Sequence, residues 1–334
     1  MKKVTIRLAA MAITIFMLAQ NVSAAQLLVP VGQVIGLQIN EDRVTVEGFD
    51  SQLGAAAREA GLMAGDQITK IDGQEIHCAE DIRRALQMSD GDVDIYIVRG
   101  TTQKELELEP AITEDGPKLG IFLRQGITGV GTVTYYDPVT CSFGALGHGV
   151  NDKDGNLVAM TEGFAYSAGV DAVKKGKSGD PGQLMGSVTN REPIAVLSKN
   201  TLQGVFGRAN TPFAGDALPI AAVSEIKAGP AVIRSTVQNG SVQEYSVEIA
   251  KIYPHSSSDG RNMLLKVTDQ RLLDTTGGII QGMSGSPIIQ DGKLVGAVTH
   301  VLVNDPTTGY GIFIENMLDA AGEMHNRVSG CCSF

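Results

Sequence analysis

The Asp291-Gly292 pair, set between the apolar runs Pro287-Ile288-Ile289-Gln290 and Lys293-Leu294-Val295-Gly296-Ala297-Val298-Thr299, constrains the local fold more tightly than any other stretch. Both residues tolerate positive φ, so they close a two-residue turn whose twist matches antiparallel strands, and residues 287–299 are expected to form a β-hairpin. The hairpin is entered through Gly282-Met283-Ser284-Gly285-Ser286-Pro287. Glycines on both sides leave the Ser284 hydroxyl uncrowded and let neighbouring N–H groups converge on one point, which is the setting a serine nucleophile needs. The strand-to-helix elbow that also presents nucleophilic serines requires glycine two residues after the serine, and Ser286 stands there instead.

Forty glycines, no tryptophan and recurrent Val/Ile runs in 334 residues favour sheets and turns, so a mainly β chain of about two domains is expected. At the N-terminus Lys2, Lys3 and Arg7 precede a largely apolar run, residues 8–19, and Val22-Ser23-Ala24 offers small residues where a signal peptidase cuts. As a helix that run reaches about 18 Å against about 30 Å of bilayer hydrocarbon, so residues 1–24 are expected to be a signal peptide or a short membrane anchor. Their removal takes away three positive charges and no acids, moving the formal charge from −10 to −13. An exported acidic body has no electrostatic case for binding nucleic acid or anionic lipid. Cys78, Cys141, Cys331 and Cys332 show no C-x-x-C spacing, so no zinc site, disulfide framework or cofactor is indicated.

Residues 27–110 read as a small unit of strands with two helices. Leu27 onward is strand-like, residues 43–49 alternate, residues 54–62 form a short alanine-rich helix stopped by Gly61, and residues 79–88 form a helix burying Ile82, Ala85 and Leu86. This order, with A-G-L-x-x-G-D-x-I-x-x-I-x-G over residues 60–73, resembles a PDZ domain of the bacterial peptidase-associated type. Such domains capture an extended peptide beside a sheet edge. The resemblance implies that Gly36, Leu37, Gln38 and Ile39 form that edge, with the helix from Ala79 as the opposite wall.

Residues 111–118, which include Gly116 and Pro117, break the pattern and are expected to be a linker. From 119 to 322 alternating strands separated by Gly/Pro/Asn/Asp turns suit a sheet closed into barrels, and residues 323–334 are left as a tail. The serine loop, the hairpin and the following Gly309 and Gly311 resemble the C-terminal barrel of chymotrypsin-type serine peptidases. That resemblance implies a PDZ domain followed by a double β-barrel peptidase domain. Ser284 is then the nucleophile, the N–H groups of Gly282 and Ser284 form the oxyanion hole, and residues 299–302 pair with substrate. A serine hydroxyl is a poor nucleophile without a base near pKa 6.5. His148, in Gly144-Ala145-Leu146-Gly147-His148-Gly149, is the one histidine set among glycines in an apolar context. His77 lies in the first domain, His255 in a Ser-rich loop, His300 on the pairing strand and His325 near a polar tail. A carboxylate must orient the imidazole; Asp269, Asp180 and Asp171 all qualify, and spacing does not choose among them.

Longer motifs resemble one family closely. They are L-V-P-V-G-Q-V-I-G-L from Leu28, G-A-L-G-H-G around His148, G-D-P-G-Q-L-M-G from Gly179, N-T-L-Q-G-V-F-G from Asn200, and the V-T-D to G-M-S-G-S-P stretch around Ser284. With G-A-V-T-H-V-L-V-N-D-P-T-T-G-Y-G from Gly296, they resemble the stage IV sporulation protein B serine peptidases, the resemblance running from about residue 27 to 320. The resemblance implies that His148, Asp269 and Ser284 are the triad, since the family's aspartate sits in its V-T-D motif. It further implies export into the space between two sporulation membranes and self-cleavage near the N-terminus. The implied partner is a membrane-bound inhibitor, cut so that an intramembrane protease activates a late sigma factor. Two other expectations stand beside it: a general envelope quality-control peptidase with a PDZ sensor, and a catalytically inert adaptor that binds peptide ends.

Overall fold

The computed structural model of the protein describes residues 26–322, apart from residues 42, 125, 154, 239 and 255–259. The expected export segment, the tail with Cys331 and Cys332, His255 and His325 lie outside the described residues. Two strands open the described chain, β1 (Leu27–Pro30) and β2 (Val34–Glu41). A separate unit follows: β3 (Val44–Phe49), α1 (Ala55–Glu59), β4 (Gln67–Ile71), β5 (Gln74–Glu75), α2 (Ala79–Met88), β6 (Val93–Arg99), β7 (Thr102–Leu108), β8 (Ala111–Thr113), β9 (Gly116–Lys118) and β10 (Ile121–Arg124). The chain returns as β11 (Ile127–Tyr136), β12 (Ser142–Ala145), β13 (Met160–Lys174), β14 (Gln183–Thr201), β15 (Gly204–Ala209) and β16 (Leu218–Pro219). The last third holds β17 (Gly229–Thr236), β18 (Val242–Ile252), β19 (Met263–Val267), α3 (Gln270–Thr276), β20 (Pro287–Gln290), β21 (Lys293–Leu302), β22 (Asp305–Phe313) and α4 (Ile314–Ala321).

Two antiparallel barrels of six strands result, as a double-barrel peptidase requires. The first closes through β2-β11-β12-β15-β14-β13, the second through β17-β18-β19-β22-β21-β20. Alternation drives both closures: Ile35, Leu37 and Ile39 of β2 pack with Val133, Phe143 and Val205 in the first core, while Ile233, Val247, Leu265 and Val298 fill the second. Each such side chain gains about 1.5–3 kcal/mol on leaving water, so a sheet that wraps its apolar face inward is strongly favoured. Asp291 at φ 50° and Gly292 at φ 74° make the expected hairpin turn.

The smaller unit is inserted between neighbouring strands of the first barrel, where the sequence reading set it in front. Its sheet runs β10-β3-β4-β6-β7 over a core of Val44, Ile68, Ile95, Leu108 and Leu119 with Ile82 and Leu86 of α2. The G-D of its motif is structural: buried Asp66 accepts from Arg99 at 2.6 and 2.7 Å, and Arg99 also donates to the Gly61 carbonyl at 2.6 Å.

Two expectations are corrected here. Gly36, Leu37, Gln38 and Ile39 are not an open edge, because Gly36 pairs with both Val130 and Tyr166 and Ile39 with both Ile127 and Gly163. An alternating strand fits any half-buried sheet, and nothing within β2 says which one will take it. Residues 111–118 are not a linker, since β8 and β9 form a hairpin and β10 then pairs with β3. The smaller sheet ends in β10 on one edge and β7 on the other, and the β10 edge faces α2. Between it and α2 lies a groove of about 720 Å³, lined by Ile82, Leu86, Leu119, Ile121 and Leu123 with Arg83 and Lys118 at its rim. Gly120 turns the chain into this groove at φ +64°, and a Cβ there would stand 2.3 Å from the main chain of Leu53.

Candidate active site

Ser284 sits in a loop that the first barrel holds by its carbonyls. Thr132 Oγ1 donates to the Gly282 carbonyl at 2.8 Å, the Thr132 N–H to the Ser284 carbonyl at 3.1 Å, and Thr134 Oγ1 to the Gly285 carbonyl at 2.8 Å. Gly285 must be glycine, because a Cβ would lie 2.0 Å from the Thr132 carbonyl oxygen. With those carbonyls engaged on one side, the N–H groups of Gly282 and Ser284 have no acceptor among the described residues, while the Met283 N–H between them is taken by the Ile280 carbonyl at 3.1 Å. Two free amides flanking an engaged one are the donors an oxyanion needs. Thr132 and Thr134, both fully buried, were missed from sequence; polar residues at every second place in an otherwise apolar strand were the available signal.

His148 comes from the loop after β12. Leu146 and Gly147 both adopt φ of 70°, an uncommon conformation for leucine that the surrounding packing enforces. His148 Nδ1 donates to the Gly149 carbonyl at 2.8 Å, which leaves Nε2 as the basic nitrogen of the neutral ring. Burial pushes the imidazole below its ordinary range, against the opposing pull of the Gly149 bond. A neutral ring at pH 7 is the form a general base requires.

Ser284 and His148 line one cavity between the barrels, about 540 Å³ in volume, with Leu37, Ile39, Ile280, Thr299, His300 and Val301 among its walls. Leu37 and Ile39 thus face this cleft, not the PDZ groove. No hydrogen bond joins Ser284 to His148: the hydroxyl donates to the Thr299 carbonyl at 2.7 Å. Catalytic contacts are commonly loose before substrate arrives.

No aspartate or glutamate lines the cavity among the described residues. Asp269 caps α3: its carboxylate accepts from the Arg271 N–H at 2.9 Å, from Arg271 Nη2 at 2.8 Å and from the Ser246 N–H at 3.2 Å. The structure does not bring it to His148. Asp180 is paired with Lys174 at 2.9 Å on the surface, and Asp171 is exposed.

The hydrogen bonds from Arg271, opposed by burial, hold the Asp269 carboxyl below its ordinary 3.8, at about 2. A depressed carboxyl stabilises the fold only while ionised, so its contribution is complete above about pH 4 and lost as pH falls toward 2. The helix it caps leads through Gly277 and Gly278 into the serine loop. Asp269→Ala is therefore expected to cost about 1–2 kcal/mol, read as a lower Tm, with turnover falling alongside; Asp269→Asn, which still caps, should lose less of both. Turnover lost in Asp269→Asn with an unchanged Tm would instead give the carboxylate a direct part in the chemistry.

A family model described as SpoIVB peptidase S55 matches residues 115–318, and a PDZ domain model matches residues 51–99. Among curated proteins the chain is similar to a candidate zinc metalloprotease of Clostridium perfringens, 36% identical over 61 residues, which is 18% of each chain. The chain spans about a fifth of the length of the curated relatives it matches. Among solved structures it is similar to the Rv3671c protease of M. tuberculosis in its active form, 15% identical over 60% of this chain and 74% of that one at a TM-score of 0.35. It is also similar to the HtrA-type protease AlgW with decapeptide, 10% identical over 64% of this chain and 58% of that one at a TM-score of 0.37. The peptidase model starts inside the β8–β9 hairpin and so leaves out β2, the strand that completes the first barrel. Because it nonetheless takes in the histidine loop, the serine loop and more than half of the sequence, the chain belongs to the SpoIVB peptidase S55 family.

Proposed function

We propose that Ser284 is the nucleophile and His148 the general base of a serine endopeptidase, with the N–H groups of Gly282 and Ser284 holding the oxyanion. The observation that carries this reading is the pair of free amides, fixed by Thr132 and Thr134, in the same cavity as His148. Rotation of the Ser284 hydroxyl away from the Thr299 carbonyl frees it for His148 Nε2. As Oγ attacks the scissile carbonyl, Nε2 takes its proton and the carbonyl electrons move onto the oxygen facing the two amides. The imidazolium then returns the proton to the leaving amine, and water repeats the sequence to release the acyl group.

Family membership and the apolar leader support a finer role in sporulation signalling. In it the protein is exported to the space between the sporulation membranes, trims its own N-terminus, and cuts a membrane-bound inhibitor of an intramembrane protease. The groove between α2 and β10 is the place for a peptide end or an extended segment of that partner to add as a strand. Purified full-length protein, incubated with the inhibitor's extracytoplasmic part, should cut it at one or few sites; broad degradation of casein would point to quality control instead.

The cleft also defines a substrate class. Ile280, Val301, Val303 and Pro181 line the cavity that holds Ser284, and no lysine, arginine, aspartate or glutamate lines it among the described residues. A basic side chain entering here leaves water without gaining a carboxylate partner among the described residues. Cleavage of a peptide library, read by mass spectrometry, is expected to follow small or medium apolar residues, with lysine and arginine disfavoured by about tenfold or more. A dominant preference for basic residues contradicts this assignment of the walls.

A further inference from the structure

A histidine base needs its ring held, and in this cavity the usual means is missing: no carboxylate lines it among the described residues, and Asp269 is held by Arg271 and Ser246. The bond from His148 Nδ1 to the Gly149 carbonyl lies within one loop. It sets the ring relative to that loop but not relative to Ser284, which belongs to the other barrel. A contact that does cross between barrels is with His300, whose ring centroid lies 5.1 Å from that of His148 at an inclination of 37°. His300 follows Thr299 on β21, and the Thr299 carbonyl accepts the Ser284 hydroxyl at 2.7 Å. The Thr299 methyl also abuts the histidine loop, since a Cβ on Gly147 would stand 2.9 Å from it. One dipeptide therefore meets the serine through residue 299 and the histidine through residue 300.

We propose that His300 is a positioning residue for the peptidase reaction, its ring bracing that of His148 across the barrel interface. The proposal rests on the serine peptidase reading above. Misplacing a base by about 1 Å can cost about 100-fold in rate, so a brace at this point is felt in turnover before it is felt in binding.

The test compares His300→Ala and His300→Phe in hydrolysis of a peptide nitroanilide with valine before the scissile bond, with thermal melts of each protein. Alanine is expected to lower kcat about 10- to 100-fold with KM changed by less than about twofold. Phenylalanine keeps a ring face and is expected to stay within about threefold of wild type. Should the alanine variant fail to fold, His300→Gln, which has no ring, is expected to show the same loss of kcat. Wild-type kcat in the ringless variants overturns the proposal, as does a phenylalanine variant no better than alanine. A change confined to KM also overturns it, by making His300 a wall that touches substrate. Undiminished hydrolysis by Ser284→Ala in the same assay removes the serine peptidase reading itself, a different and separately visible failure.

Discussion

Ser284→Ala is expected to lower peptide hydrolysis by at least about 10⁴-fold and to abolish the N-terminal self-trimming proposed above. The size of the effect follows from how the other nearby hydroxyls of the described residues are engaged: Thr299, also on the cavity wall, donates to the Gly260 carbonyl at 3.4 Å, and Ser286 is buried, bonded to Ser235 at 3.1 Å and not part of that wall. The fold should survive. The Ser284 hydroxyl makes one hydrogen bond, to Thr299, while the loop's position is set by Thr132, Thr134 and the fit of Gly285. Melting temperatures of the two proteins should therefore agree within a few degrees. Trimming or hydrolysis that continues at the wild-type rate would assign the chemistry to another group.

His148→Ala should cost a similar factor, because the Ser284 hydroxyl then faces the Thr299 carbonyl, which accepts a hydrogen bond but is no base, and water must take the proton. The wild-type pH profile gives an independent reading of the same residue. Burial disfavours the imidazolium, so the pKa of His148 lies below the ordinary 6.5. The sign follows directly: the base is lost when it protonates, hence the acid limb of kcat/KM should fall with a midpoint below 6.5. A midpoint above 7 would mean that a negative charge, absent from the described cavity, stabilises the imidazolium.

Sequence sufficed where chemistry is local. Glycines around Ser284 and His148, the Asp291-Gly292 turn and the alternation of the strands each act within a few residues, and the barrels, the α2 helix and the shared cleft were all legible from them. What failed was assignment over distance. β2 looks like any half-buried strand, and only its pairing with β11 and β13, about 90 and 125 residues away in sequence, places Leu37 and Ile39 in the peptidase cleft. The same excursion hid the β10 edge, since Leu119 to Leu123 read equally well as the start of the next domain. Asp269 stands in the expected motif, yet the Arg271 two residues on claims its carboxylate. Capping an adjacent helix and orienting a distant imidazole call for the same residue type, so composition and spacing do not separate the two roles. Thr132 and Thr134 act on a loop 150 residues away, and only the closed barrel reveals that contact.

Intact-mass analysis after treatment with a fluorophosphonate tests most directly whether the hydroxyl at 284 is made reactive by the imidazole at 148. Folded wild-type protein should gain one adduct, mapping to Ser284, and labelling should be absent in Ser284→Ala and slowed at least about 100-fold in His148→Ala. Well-folded wild-type protein that takes up no label, or a His148→Ala protein labelled as fast as wild type, would contradict it.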